Sequence, residues 1–337
     1  MYRGFSLHEH WVLGRMQARI SPQVGGRSVL GEASPMTVCE LSEVVHRRCV
    51  RIGGVSIGLV ANSANDIRLT EELEAFKSET PYCDIEITIE WAQDLPRLEN
   101  RKRLFDSGSV WTLYANDVGF IFDFSTPVLG KQPYKRLYVN KDFSDARLLL
   151  NSACLSNVAE VYPLEYPLDE LLVTNWLALG RGVEMHGCGL VDHESVGHLF
   201  LGHSGAGKST TSLLWKSLRD VRVLSDDRII LRELTNEIWM HGTPWHGEAG
   251  FAAPEKVRIR RIFILEHGEK NEVLPLTGNR AVAELFARCF PPFHGHGPLN
   301  FTLSYLHHIA DSVPCYLFRF LPNPSAVEKI LDFCRCR

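Results

Sequence analysis

Eight consecutive residues constrain this chain more than any other stretch. Gly202-His203-Ser204-Gly205-Ala206-Gly207-Lys208-Ser209 fits G-x-x-x-x-G-K-[ST] at every position. Such a loop needs a strand ahead and a helix behind, so that its backbone N–H groups converge on one point. The flanks comply: Gly197–Leu201 reads as a short apolar strand and Lys208–Leu218 as a helix. The glycines admit φ > 0 and bring N–H groups against phosphate oxygens. Ser209 and Thr210 open the helix, whose first turn adds unpaired N–H groups and the positive end of its dipole. Lys208 is placed to reach the β- and γ-phosphates as a mobile charge, and Ser209 to present its hydroxyl to magnesium. Residues 202–210 are therefore expected to bind ATP with Mg2+.

The chain returns quickly after that helix. Val221-Arg222-Val223-Leu224 is the next strand pattern, and Ser225-Asp226-Asp227 stands at its C-terminal end. In a right-handed β-α-β unit the two strands are parallel, and their C-terminal ends share one edge of the sheet. The acidic pair is thus expected beside the phosphate loop. One carboxylate would hold metal while the other accepts a proton from an attacking hydroxyl; a surface Asp-Asp turn is the bland alternative. Downstream, His241-Gly242-Thr243-Pro244-Trp245-His246-Gly247-Glu248 follows a strand pattern at 237–240. It is either an acceptor-binding loop whose Glu248 supplies a second metal ligand or a structural turn with Trp245 packed down. Arg280 and Arg288 lie on a predicted helix over 279–290, where a charged face competes with a γ-phosphate contact.

The remaining residues bound the setting. Of 337 residues 45% are hydrophobic and 23% charged, and strand and helix patterns alternate through the second half, which points to an α/β layer architecture. Two domains are expected, 1–160 and 161–337. The first is mostly β, an α+β unit. Residues 55–60 and 84–90 alternate with period two, and 110–114 and 120–124 flank Asn116-Asp117-Val118-Gly119 as a hairpin, with one helix near 70–76. This half looks like a mostly antiparallel sheet and carries no chemical motif. Its part in acceptor access or in a subunit contact stays open, and so does homo-oligomerisation. A net charge of −4 argues against a broad nucleic-acid-binding face. No run approaches roughly 18 consecutive apolar residues, so no membrane span is expected. Residues 1–8 lack the layout of a signal peptide. Nine cysteines at irregular spacing fit a reducing cytosol.

Three motifs in order carry a family resemblance: Met185-His186-Gly187 on a strand, the loop 202–209, and Asp226-Asp227 eighteen residues after the lysine (226 − 208). Together they resemble HPr kinase/phosphorylase and, more distantly, the nucleotide-binding core of ATP-dependent phosphoenolpyruvate carboxykinase. The resemblance covers about residues 180–325. It implies an HPr-kinase/PEP-carboxykinase-like P-loop domain over 161–337, preceded by the mostly β N-terminal domain. It also implies an ATP- and Mg-dependent kinase that passes the γ-phosphate to a hydroxyl, of a protein or peptide serine or of a small hydroxylated metabolite. Asp226 is then the base, His186 assists at the active site, and Asp227 is a metal ligand or stands just behind one. On this reading Asp226→Asn abolishes transfer and spares nucleotide binding. Two positions depart from the family: Thr210 stands where an acidic residue usually follows the Lys-Ser pair, and 241–248 replaces a loop of the type Glu-Ile-Arg-Gly. Two other classes compete. One is a nucleotide-gated binding module with little turnover; the other is a carboxykinase-like lyase, which needs a second metal site and arginines for a dicarboxylate.

Overall fold

The computed structural model describes residues 45–335 apart from 109, 219 and 293; residues 1–44, Cys39 among them, and Cys336 lie outside the described residues. Period-two runs build the first sheet. In β3 (Ile85–Ala92) Ile85, Ile87 and Ile89 are buried while Glu86 and Thr88 are exposed, the signature of a strand with one wet face. It joins β1 (His46–Ile52), β2 (Val55–Ala61), β4 (Arg103–Asp106), β5 (Trp111–Asn116), β6 (Gly119–Phe124), β7 (Lys135–Asn140) and β8 (Asp145–Asn151). The order is β1-β2-β3-β8-β7-β6-β5-β4. Asn116 lies opposite Gly119, so Asp117-Val118 turns the β5–β6 hairpin. Most pairings are antiparallel, but β3 runs parallel to both its neighbours, β2 and β8. Parallel neighbours need a crossover. Residues 62–84 supply it with a 3-10 turn (Ala64–Ile67) and a single helical turn, α1 (Glu71–Glu74), in place of the longer helix expected at 70–76.

After α2 (Ser152–Leu155) and α3 (Leu168–Leu177), a second sheet takes the strands of the glycine-loop half. These are β9 (Val183–Val191), β10 (Gly197–Leu201), β11 (Arg222–Ser225), β12 (Arg228–Leu234), β13 (Glu237–His241), β14 (Lys256–His267), β15 (Glu272–Leu276) and β16 (Cys315–Phe320). The path is β10-β9-β12-β13-β14-β16-β15, with β11 on β9 and β10 also against β14. Four helices are interspersed with these strands: α4 (Lys208–Leu218), α5 (Gly278–Phe286), α6 (His296–Ser312) and α7 (Ser325–Arg335). Alternate residues of the central strands sort to opposite faces. Leu199, Leu201, Ile262 and Ile264 pack with Leu285 of α5 and Leu306 and Ile309 of α6. Phe200, Phe263 and Phe318 pack with Trp215 of α4 and Val327 and Ile330 of α7. Strands covered on both faces read as unbroken apolar runs, which is why Ile262-Phe263-Ile264-Leu265 shows no alternation.

The two sheets share a core. Leu168, Leu172, Val173 and Trp176 of α3, Ile230 of β12 and Trp245 all belong to the apolar cluster of the first sheet. Arg232 of β12 also donates to the carbonyl of Gly54 in the β1–β2 turn, at 2.8 Å. No described helix is long and apolar enough to cross a membrane.

Candidate functional site

β10 and β11 both lie antiparallel against β9, one on either side, so they are parallel to each other. Their C-terminal ends open on one edge, where the glycine loop meets the acidic pair. Gly205 and Gly207 have φ of +80° and +96°. At Gly207 a Cβ would also stand 2.6 Å from the Phe320 ring, so a side chain is excluded twice over. Lys208 is buried, and its Nζ donates to the carbonyls of Gly202 (3.1 Å) and His203 (3.3 Å). Burial pushes its ammonium down to about 8; Asp227 opposes the shift and Arg228 adds to it.

The two aspartates sit in different surroundings. Asp226 is only 1% exposed. Its Oδ1 accepts the N–H groups of Gly247 (3.0 Å) and Phe251 (3.2 Å), and its Oδ2 accepts the Ala249 N–H (3.0 Å) and the Ser209 hydroxyl (3.4 Å). Those donors occupy the roughly four lone-pair positions a carboxylate has. Asp227 instead faces His186, with Nε2 3.0 Å from Oδ1, while Arg228 donates to Oδ2. Burial pushes the His186 ring down to about 4; the bond to Asp227 opposes this, and Arg228 and Lys208 add to it. The ring is therefore neutral near pH 7. Its Nε2–H donates a hydrogen bond to Asp227, which leaves Nδ1 as the acceptor.

Behind this pair lies a charged cluster that no motif announced. Arg228 Nε stands 3.1 Å from Glu170 of α3 and 3.3 Å from Glu184 of β9, and its guanidinium lies 4.1 Å over the Phe290 ring. Thr174 donates to the other Glu184 oxygen at 2.5 Å. Burial holds Glu184 well above the usual carboxylate range, with Glu170 adding to the shift and Arg228 opposing it. A charged residue inside an apolar strand was the available signal, both in Val183-Glu184-Met185 and in Arg228-Ile229-Ile230-Leu231. Breaking such a buried pair from one side costs about 3–5 kcal/mol, so Arg228 fixes the carboxylate that holds His186.

The loop 241–248 meets the site through its backbone. His241 ends β13, buried and pushed down to about 3 by burial. Trp245 is packed down, its Nε1 donating to Asp169 at 2.8 Å, and burial raises that carboxyl to about 7 against the tryptophan bond. Glu248 is exposed, as are His203, Ser204 and Thr210. The helix expected over 279–290 stops at Phe286. The next residues bend onto β9 instead: the Arg288 carbonyl accepts the backbone N–H of His186 at 2.7 Å, and the Phe290 N–H donates to the Glu184 carbonyl at 3.0 Å. Arg280 is exposed, whereas Arg288 is buried and donates to Glu284 at 2.5 Å.

Among the described residues no group of three or more His, Cys, Asp or Glu side chains is arranged to hold a metal ion. The Ser209 hydroxyl donates to Asp226 at 3.4 Å and keeps its own lone pairs for a ligand. A single hydroxyl suits magnesium, which takes few protein ligands and completes its shell with phosphate and water. Asp226, Asp227 and Glu248 are not drawn together as a group of three carboxylates. No family model matches the chain, and no curated protein does. Among solved structures it is similar to the Hpr(Ser) kinase/phosphatase from Coxiella burnetii, with a TM-score of 0.27 and 16% identity, covering 45% of this chain and 90% of that one.

Proposed function

We propose that this chain is a phosphotransferase that takes ATP with Mg2+ and passes the γ-phosphoryl group to a hydroxyl. The acceptor is a serine of a protein or peptide, or a small hydroxylated metabolite. One observation carries the reading: a glycine loop with a buried lysine, the Ser209–Asp226 oxygen pair and the His186–Asp227 pair meet at a single sheet edge. In this reading the loop N–H groups cradle the phosphates, and Lys208 leaves the Gly202 and His203 carbonyls to follow the transferring group. Ser209 would present a hydroxyl lone pair to the magnesium ion while Asp226 accepts the hydroxyl hydrogen, and the ion's charge would neutralise the phosphate oxygens.

The hydroxyl proton needs an acceptor. Asp226, the base the family resemblance implies, already receives three N–H groups and a hydroxyl. We therefore assign the proton to Nδ1 of His186, with Asp227 keeping the ring in orientation and stabilising it once charged. A bound triphosphate offsets the Lys208 field that helps hold the ring neutral, so the imidazole becomes a better base as the substrate arrives.

The direct test is γ-labelled ATP with magnesium and an extract of the native cell, comparing wild type with Lys208→Ala. Label on one discrete species, with wild type alone, is the expected result. ATP binding with neither transfer nor hydrolysis would instead favour a nucleotide-gated module, in which Asp226 relays occupancy at Ser209 to the 247–251 backbone.

The lysine also sets a pH dependence. Its native pKa of about 8 lies below its ordinary value, so the folded chain sheds this proton before the unfolded chain does. This lysine weakens the fold below pH 8, and the penalty fades as pH rises towards the unfolded value. A polyanion in the loop reverses the preference and takes a proton up. Nucleotide affinity is therefore expected to be flat in this group below about pH 7, and to fall by up to about tenfold per unit above about pH 8. Calorimetric titration in two buffers of unequal ionisation enthalpy counts the proton. A dissociation constant without slope up to about pH 9.5 would sink the assignment.

A further inference from the structure

We propose that Cys49 and Cys83 form a dithiol oxidation site, which a hydroperoxide closes to a disulfide. Cys49 lies on β1 and pairs in register with Gly58 of β2. Cys83 stands just before β3, which is the strand on the other side of β2. The two thiols belong to positions separated by a whole strand, yet their sulfurs are 3.2 Å apart. The missing side chain at Gly58 makes this contact: a Cβ there would sit 2.9 Å from Cys83 Sγ. The sulfurs thus meet over a bare stretch of backbone, in the gap where a neighbouring side chain would ordinarily stand.

The surroundings assign an order of attack. Arg47 shares a face of β1 with Cys49, and its guanidinium lies 3.4 Å from Cys83 Sγ and 3.0 Å from Glu86. Cys83 is half-exposed while Cys49 is buried. Burial pushes the Cys49 thiol up to about 12, with its hydrogen bond to Cys83 adding to the shift. The accessible thiol, beside a guanidinium, is the one a hydroperoxide reaches first. Cys83 attacks the peroxide, the O–O bond breaks, and the departing oxygen leaves as water or alcohol with the thiol proton. Cys49 sulfur then attacks the resulting sulfenic sulfur, the S–O bond breaks, and water departs with the Cys49 proton. Two thiols and one hydroperoxide thereby give one disulfide, one water and one water or alcohol. The sulfurs lose two electrons and the peroxide gains them.

The bond would tie the β1 edge strand to the start of β3, across 34 residues of chain. The test uses the full chain, reduced and then exposed to stoichiometric hydrogen peroxide, alkylated and digested. The expected product joins the peptides of Cys49 and Cys83, lighter by two hydrogens and restored by dithiothreitol. It should form at least about tenfold faster than any other cysteine reacts. Cys49→Ser is expected to leave a dimedone-trappable sulfenic acid at Cys83, and Cys83→Ser to remove the fast phase. Arg47→Ala is expected to slow that phase several-fold without changing the pairing. Melting curves check that each variant stays folded. Recovery of both thiols free while other cysteines oxidise, or a bond from Cys83 to a different cysteine, would overturn the proposal.

Discussion

Lys208→Ala is expected to slow phosphoryl transfer by about 10²–10³-fold, the usual loss when one donor aimed at developing charge is removed from a dry site. The effect is large because this ammonium is buried and already desolvated before substrate binds, so its field acts with little screening by water. Alanine also leaves the Gly202 and His203 carbonyls without their donor, which costs about 1–3 kcal/mol. Removing the buried charge offsets that cost below pH 8, so the melting temperature should move little while the rate is lost. Single-turnover transfer and a thermal melt separate the two effects. A variant that transfers phosphate within twofold of wild type would remove Lys208 from the chemistry.

The second large effect divides the neighbouring aspartates. In Asp226→Asn one oxygen becomes an NH2 donor. It must then face either the Gly247 and Phe251 N–H groups or the Ala249 N–H and Ser209. Donor against donor in a buried seat is expected to cost about 3–5 kcal/mol, the penalty for a broken buried charge interaction. Magnesium-nucleotide binding should weaken along with transfer, which differs from the motif-based expectation of spared binding. Asp227→Asn should show the opposite split, with nucleotide still bound and transfer reduced by about 10²-fold or more, the size of a general-base contribution. Equilibrium binding beside single-turnover rates reads both. If Asp226→Asn binds magnesium-ATP normally while transfer vanishes, the base is Asp226 after all.

What the chain disclosed in advance was local. The bounds of β10 and α4 coincide with the patterns read from Gly197–Leu201 and Lys208–Leu218. In each, periodicity and glycine placement act within a few residues. Nearness of the acidic pair to the loop was legible too, through the geometry of parallel strands. Errors arose where distant chain decides. Residues 287–290 have helical character, yet they pair with β9, through the Met185–Cys289 bridge among others, and so α5 ends early. The cluster around Arg228 draws Glu170 from 58 residues upstream. No repeat or spacing marks such a contact, because it exists only once two layers have packed. Similarly, the seat of Asp226 is made of backbone N–H groups, which every residue but proline carries. Their convergence is a property of loop shape, and side-chain identities do not encode it in a readable way.

The shared core between the sheets has a consequence for how such a site can travel. α3, Ile230 and Trp245 complete the apolar interior of the front sheet, and Arg232 is latched to its first turn. A fragment beginning at residue 161 would carry these side chains into water as a broad greasy face, which favours clumping over a quiet monomer. The glycine loop of this chain is therefore no portable cassette. A lineage that inherits the glycine loop has to inherit the first sheet as well.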